Sequence, residues 1–354
     1  MRPKHLLAFA IPAVCCASTS ASAYEFNKLI DVYGSLNVGL EYRMVDNENG
    51  GDLGIDDHFE VQDAYSNIGI KGSVDVGNGI SAFYNYQLAI DVTTGKLAEN
   101  DQTSWEGVSD VEQNVATVGF TGDFGTISVG RMWNAYYNRV SYTTDHFSSG
   151  WTGFDTYGAF QINRMVAYQS PDWSGFSFDV NIGLKGPAPE DVEDRFIVGA
   201  TYNIGKTSLN LAVDNLADGT EQIGFSIAQG MGPITLSGKY EILTDGTVDD
   251  DGDVDDASIA TVLLEYSFGQ NVLKLHYADG DYPSYIGTED GEGSEFGVGI
   301  DHTINDNLYV FAEYHASSDY CAYDLTEGDG NGAYSTGAAQ ASCSVVSVGT
   351  HLSF

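Results

Sequence analysis

Seven aspartates crowd the stretch from Asp245 to Asp256, with Gly246 and Gly252 among them. Carboxylate oxygens at that density suit a hard cation such as Ca²⁺. The spacing does not: counting back from Gly252 by the EF-hand interval lands on Thr247 instead of an acid, so the run reads as a solvated loop. The histidines beyond the N-terminal segment (His58, His146, His276, His302, His315 and His351) are scattered. They form no His-x₃-His pair or Cys/His cluster of the kind zinc needs. Serines lie near several of them, but no Gly-x-Ser-x-Gly elbow presents a nucleophile. These residues predict no catalytic centre, no metal site and no cofactor, and the chain is not expected to be an enzyme.

Charge narrows the function further. With 14 Lys+Arg against 51 Asp+Glu the formal charge is −37, which excludes nucleic acid, because phosphate binding relies on a basic patch. Hydrophobic residues make up 42% of the chain, enough to argue against wholesale disorder. Glycine supplies 42 residues, about 12% against a usual ~7%. Together with 22 Tyr and 17 Phe this favours strands over helices.

The elements that must position the remaining polar residues are legible from period and punctuation. Residues 1–23 read as a cleaved secretory signal, with Arg2 and Lys4, an apolar run from Leu6 to Cys16 and the small Ala21-Ser22-Ala23 site. A mature chain over 24–354 follows, and loss of the two bases takes its charge from −37 to −39. No later stretch is apolar over the ~18 residues that a membrane helix needs. Instead, Val32, Gly34, Leu36, Val38, Leu40 and Tyr42 alternate with Tyr33, Ser35, Asn37, Gly39, Glu41 and Arg43. The same rhythm recurs over 80–90, 176–184 and 196–204, giving each strand one apolar and one polar face.

Tight Gly/Asn turns at 77–79, 122–125, 172–175, 205, 230–233, 269–271 and 305–307 alternate with longer polar stretches near 44–60, 93–110, 134–161, 185–194, 217–220, 245–256, 279–293 and 317–341. Fifteen connections predict sixteen strands. The alternation of short with long, and aromatics near strand ends (Tyr42, Trp173, Tyr202, Tyr240, Tyr277), predict an all-β transmembrane antiparallel barrel rather than a soluble sheet. Near Val115 to Phe120 apolar residues fall on both faces, which suggests a protein contact on the outer wall. Cys321 and Cys343 flank the last long loop. Outside the cytoplasm they are expected to form a disulfide.

The C-terminal strand ends Val346, Val348, Thr350, Leu352, Phe354 in strict alternation. It resembles the signature by which outer-membrane proteins are recognised for barrel assembly. Asp31-Val32-Tyr33-Gly34, Asn67-Ile68-Gly69-Ile70-Lys71-Gly72, Val118-Gly119-Phe120, Phe124-Gly125-Thr126 and Val129-Gly130-Arg131 extend the likeness. The chain thus resembles the general (non-specific) porins of Gram-negative outer membranes, thinly over 27–354 and specifically over 111–131 and at the C-terminus.

That resemblance implies a homotrimer in the outer membrane, in contact with lipid and lipopolysaccharide and inserted by the assembly machinery through Phe354. It also implies diffusion of ions and small hydrophilic solutes, past a loop at 134–161 folded into the pore. The loop's own composition supports this. It is long, which usually marks function, and carries Arg139, Asp145, Asp155 and many aromatics (Tyr136, Tyr137, Tyr142, Phe147, Trp151, Phe154, Tyr157, Phe160).

In the family, basic wall residues face acids on this loop. Arg131 matches a wall arginine, Arg164 resembles a basic residue of the sixth strand, and Lys71 has lumen parity; other family positions hold Ser35, Asn67 and Asn114. The expected constriction is therefore Lys71, Arg131, Arg139, Asp145, Asp155 and Arg164, with Arg131 opposing Asp145 or Asp155. Inward acids (Glu41, Asp91, Asp179, Glu241, Glu265, Asp301, Glu313) nearly balance inward bases (Arg43, Lys71, Arg131, Arg164, Arg195, Lys239, Lys274), so acidic mouth loops are expected to give modest cation selectivity. A substrate-selective channel and an outer-membrane barrel enzyme are the alternatives.

Overall fold

The computed structural model describes residues 25–27, 29–46, 57–97, 113–149, 156–157, 160–186, 194–216, 220–248, 254–281, 292–318 and 342–354. The N-terminal signal, most of the aspartate run, Trp151, Phe154, Asp155 and Cys321 lie outside the described residues.

Sixteen wall strands follow one another around a single antiparallel sheet. They are β1 (Ile30–Asp46), β2 (His58–Asp63 and Asn67–Gly77), β3 (Ile80–Asp91) and β4 (Gln113–Gly122). Next come β5 (Gly125–Trp133), β6 (Gln161–Gln169), β7 (Phe176–Gly183) and β8 (Arg195–Ile204). Then follow β9 (Thr207–Asn215), β10 (Glu221–Met231), β11 (Ile234–Val248) and β12 (Val254–Phe268). The last four are β13 (Asn271–Asp281), β14 (Glu292–Asn305), β15 (Leu308–Ser318) and β16 (Ser342–Ser353).

Closure is made by β16 and β1, paired from Ser342↔Asp46 to Ser353↔Ser35. Phe354 completes it, exchanging both backbone hydrogen bonds with Gly34 at 3.0 Å. A closed sheet has no free edge, which is what a strand protein needs in lipid. All seven expected tight turns are present. Gly205, Gly232 and Gly269 sit in two-residue turns at φ +63°, +70° and +61°, the left-handed region that glycine enters without a Cβ clash.

The distribution of burial settles which solvent the outer wall meets. Leu40, Val118, Phe196, Val198, Leu211 and Val262 are 47–55% exposed, while Glu41, Lys239 and Glu241 on the opposite face are at most 5% exposed. A water-soluble sheet would reverse this; a membrane barrel requires it. Aromatics stand on the outer face near both rims: Trp173, Tyr202, Tyr266 and Phe268 towards the tight turns, Tyr240 and Tyr277 towards the long loops.

The apparent breach of alternation in β4 is not one. Val115 is buried and faces inward with Thr117 and Gly119, whereas Val118 and Phe120 are exposed on the outside. Val115 is simply an apolar residue of the inner wall, and β4 offers no special argument for a protein contact.

Candidate functional site

After β5 the chain turns into the barrel. Asn134 caps a short helix α1 (Ala135–Arg139), its Oδ1 accepting from Tyr137 N at 2.8 Å; Asn134 N in turn donates to Phe160 O at 2.9 Å. A 3₁₀ turn over Ser141–Thr143 follows. The insertion therefore carries structure of its own, where the sequence predicted a plain loop. Local capping is part of the reason. The larger part is an apolar seat on the inner wall, where Ala135, Tyr136 and Val140 pack on Ile197 and Ala212. Tyr157 packs likewise on Leu243, Ala257 and Ile259. Tyr136 and Tyr157 are 2% and 4% exposed: these aromatics hold the loop to its own barrel.

Polar anchors continue the attachment around the lumen. Arg139 Nε reaches Asp179 Oδ2 at 2.7 Å, and its Nη1 donates to Ser177 Oγ (3.0 Å) and Thr201 Oγ1 (2.9 Å). Thr156 Oγ1 donates to Glu241 Oε1 at 2.9 Å and Gln222 Nε2 to Tyr157 O at 2.8 Å. His146 Nδ1 is 3.1 Å from Glu265 Oε1. At the far side Glu313 accepts from the N–H groups of Ser148 (2.8 Å) and Ser149 (2.9 Å), and Asn37 Nδ2 donates to Ser148 O at 2.7 Å. Phe147 lies between His276 and His315, with ring centroids 5.8 and 4.7 Å away. Above Gly297 and Gly299 any Cβ would crowd the Phe147 ring, at 3.1 and 3.0 Å. The segment thus spans the interior from β7 through β15 to β1 and narrows it, as expected.

The wall charges are arranged differently from expectation. They occur as close pairs: Arg43 with Glu41 (3.2 Å) and Glu60 (3.0 Å), Arg195 with Asp214 (2.6 Å), Lys239 with Glu241 (2.7 Å), and Lys274 with Asp301 (2.7 Å). Most of the charged groups that grip the loop are wall acids, joined by Lys274, whose Nζ donates to His146 O at 2.5 Å. Among buried inward residues Asp214 and Glu295 are 1% and 3% exposed, and neither was singled out in the sequence. Their signal was available: Asp214 shares the alternation of Asn210 and Ala212, and Glu295 that of Asp301.

Each predicted constriction residue other than Asp155, which lies outside the described residues, has a definite place. Arg139 is 5% exposed and serves as an anchor. Asp145 accepts from the Tyr137 hydroxyl at 2.7 Å. Burial first, and the Asp145 carboxylate second, push the Tyr137 phenol well above its ordinary range; Tyr142 is raised for the same two reasons in that order. Lys71 does have lumen parity, but lies 3.8 Å from Asp31 and 4.8 Å from the Tyr33 ring centre, at the start of β1.

Arg131 pairs across from Ala116, in the outward alternation of Ile127 and Val129, and donates to Asn163 Oδ1 (3.0 Å) and Gln161 Oε1 (3.3 Å). Arg164 has φ +52° at an irregularity in β6 and donates to Lys185 O at 3.3 Å, beside the loop after β7. Resemblance to family positions is what assigns both arginines to the constriction; the alternation of Ile127 and Val129 carries Arg131 to the outer face, beside the register shift at Gly130/Met132. Asp91 caps the turn beyond β3, accepting from Thr93 Oγ1 at 2.6 Å and from Thr94 Oγ1.

A closed sixteen-strand barrel with a lipid-facing apolar wall and a folded-in loop across a charged lumen defines an outer-membrane channel-forming protein. The Gram-negative porin family matches residues 7–319. The chain belongs to that family. Among curated proteins it is 27% identical over 210 residues to the major outer membrane protein P.IB of Neisseria gonorrhoeae, covering 56% of this chain and 53% of that one. It is 25% identical to a monosaccharide porin of a Halomonas species, over 93% of this chain and 97% of the relative. The chain therefore spans about half the length of the neisserial proteins it matches and nearly all of the Halomonas one. In fold it is similar to an anion-selective porin from Comamonas acidovorans (TM-score 0.71, 20% identity, 92% of this chain and 99% of that one). It is also similar to OmpF of Salmonella typhi (TM-score 0.66, 16% identity, 94% and 100%).

Proposed function

We propose that this porin is a passive diffusion channel for ions and small hydrophilic solutes, assembled as a homotrimer in the outer membrane after removal of residues 1–23, and that it favours cations. The channel reading rests on the family and on the loop-narrowed lumen. It is supported by the likeness to a monosaccharide porin along nearly its whole length. A non-enzymatic role accords with both.

The cation preference rests on one observation. Among the described inward-facing groups, the acids Asp31, Glu41, Asp179, Asp214, Glu241, Glu265, Glu295, Asp301 and Glu313 outnumber the bases Arg43, Lys71, Arg139, Arg195, Lys239 and Lys274, with His276 and His315 each 3.9 Å from Glu295. With the bases tied into direct pairs, the uncompensated field is negative and raises the local cation concentration. Fold alone does not set this sign, since the similar Comamonas barrel is named anion-selective. A mouth acid such as Asp57 adds a contribution screened over ~8 Å at physiological salt. Reversal potentials across a KCl gradient test the reading: a cation-selective value that shrinks as total salt rises is expected. An anion-selective pore would show that the remaining bases control the field.

A further inference from the structure

Between the inserted segment and the β1–β2 wall lies a cavity of about 310 Å³. Trp133, Tyr137 and Phe160 line one side as a cluster, Trp133 stacked on Tyr137 with centroids 4.6 Å apart and Phe160 tilted 40° against Tyr137 at 4.7 Å. Tyr309 and His351, parallel within 9° at 5.0 Å, line the other. Asp145 brings the sole formal negative charge among the described lining residues.

Two further features mark this space. Asn37 also lines it and is 6% exposed; its Oδ1 has no hydrogen-bond partner, and neither has His351 Nδ1. Donation from Asn37 Nδ2 to Ser148 O fixes which end of that amide is the free acceptor. The third lining residue of note, Tyr65, interrupts β2 with φ +65°. A bulky residue in the left-handed region is strained, and such strain concentrates at functional positions.

The hydrogen-bond accounts argue against a sugar. A sugar hydroxyl array needs several donors and acceptors, but the lining polar groups are committed to one another. Asn67 Nδ2 donates to Ser35 Oγ at 2.8 Å, Gln87 Nε2 to Asn67 Oδ1 at 3.0 Å, and Ser148 Oγ contacts Tyr309 Oη at 3.1 Å. Beside them stand aromatic surface, the charged Asp145 carboxylate, which accepts from the Tyr137 hydroxyl at 2.7 Å, and the buried acceptor Asn37 Oδ1, which lacks a donor. Aromatic rings attract cations through their quadrupole, and the carboxylate adds charge-assisted hydrogen bonding.

We infer that this cavity is a binding subsite for a small organic ammonium ion carrying at least one N–H, which pauses there on its way through the pore. The inference rests on the channel reading above, and the test separates the two. Purified protein in planar bilayers is exposed to butylammonium, tetramethylammonium or glucose in a KCl background. Saturable block by butylammonium is expected, several-fold weaker block by tetramethylammonium, and none by glucose at equal concentration. Asp145→Asn should raise the half-blocking butylammonium concentration at least tenfold, and Phe160→Leu should raise it several-fold. Block by glucose matching that by butylammonium would overturn the proposal without any variant. So would equal block by both cations, or an unchanged half-blocking concentration in the Asp145→Asn protein. Normal open-channel current without amine block removes the subsite alone; absence of current in the unmodified protein defeats the channel reading and the subsite with it.

Discussion

Replacing Arg139 by Ala should unlatch the first part of the inserted segment. The Arg139 and Asp179 side chains are 4% and 9% exposed, so water screens their attraction little. Removing one member of a buried pair costs roughly 3–5 kcal/mol, chiefly because the other charge is left uncompensated. The upper half of that range applies, since Asp179 Oδ1 has no hydrogen-bond partner even in the intact pair and the Ser177 and Thr201 contacts are lost as well. At 1.4 kcal/mol per decade the attached-to-detached ratio falls roughly a thousand- to several-thousand-fold.

The rest of the segment stays fastened at Glu241 and Glu313, so the barrel persists while α1 becomes free to move. Single-channel recordings should therefore show added current fluctuation with little change in the thermal midpoint of the barrel. Asp179→Asn in the same chain should quieten it by removing the stranded charge. A quiet Arg139→Ala channel, or a double variant as noisy as the single, would refute the anchoring argument.

Other expectations follow from the same geometry. In Gly224→Ala the new Cβ would fall 2.2 Å from Tyr136 Oη and 2.8 Å from Val140 Cγ1; overpacking of about 1–3 kcal/mol should dislodge α1 and reproduce the noise of Arg139→Ala. Gly205→Ala, in open space at φ +63°, should cost about 1–2 kcal/mol and leave the recordings unchanged. Cys343 is disulfide-bonded, and the expected pairing with Cys321 would close about 22 residues and be worth roughly 3 kcal/mol. A thiol assay on the mature protein should find none free, and reduction should lower the thermal midpoint without altering conductance. Because burial and Asp145 raise the Tyr137 phenol, the folded protein holds that proton more tightly than the unfolded chain. Attachment of the segment should be level up to the ordinary tyrosine value near 10 and weaken as pH rises beyond it. Ultraviolet titration should show a tyrosine class ionising late, which Tyr137→Phe diminishes.

The barrel was legible because its determinants are local. Alternation needs only neighbours two apart, as in Phe196, Val198, Ala200 and Tyr202, and each tight turn announces itself through Gly or Asn within a few residues. The route of the inserted segment was not, because its determinants are distant in sequence. Arg139 meets Asp179 some 40 positions later, and room for its chain exists because Gly199 lacks a Cβ, which would stand 2.8 Å from Arg139 Cγ. No spacing rule encodes that encounter.

The arginines at 131 and 164 show the converse failure. Their expected place comes from likeness to family positions, whereas the alternation of Ile127 and Val129 already carries Arg131 outward, and Arg164 falls at an irregularity of β6 with φ +52°, where a one-residue slip exchanges the two faces of a strand. Where strands run without interruption the same rule carries further than it was taken. Applied to β9 and β14 it yields Asp214 and Glu295, and those two acids convert an apparent balance of interior charge into an excess of carboxylate. On the cation-selective reading proposed above, the sign of ion preference would follow from the inner faces of β1 and β7 to β15, against which the segment is fastened. Residues of β1, β2, β5, β15 and β16 line the cavity left beside it, and there, on the proposal above, Asp145 and the aromatic rings would decide what lingers.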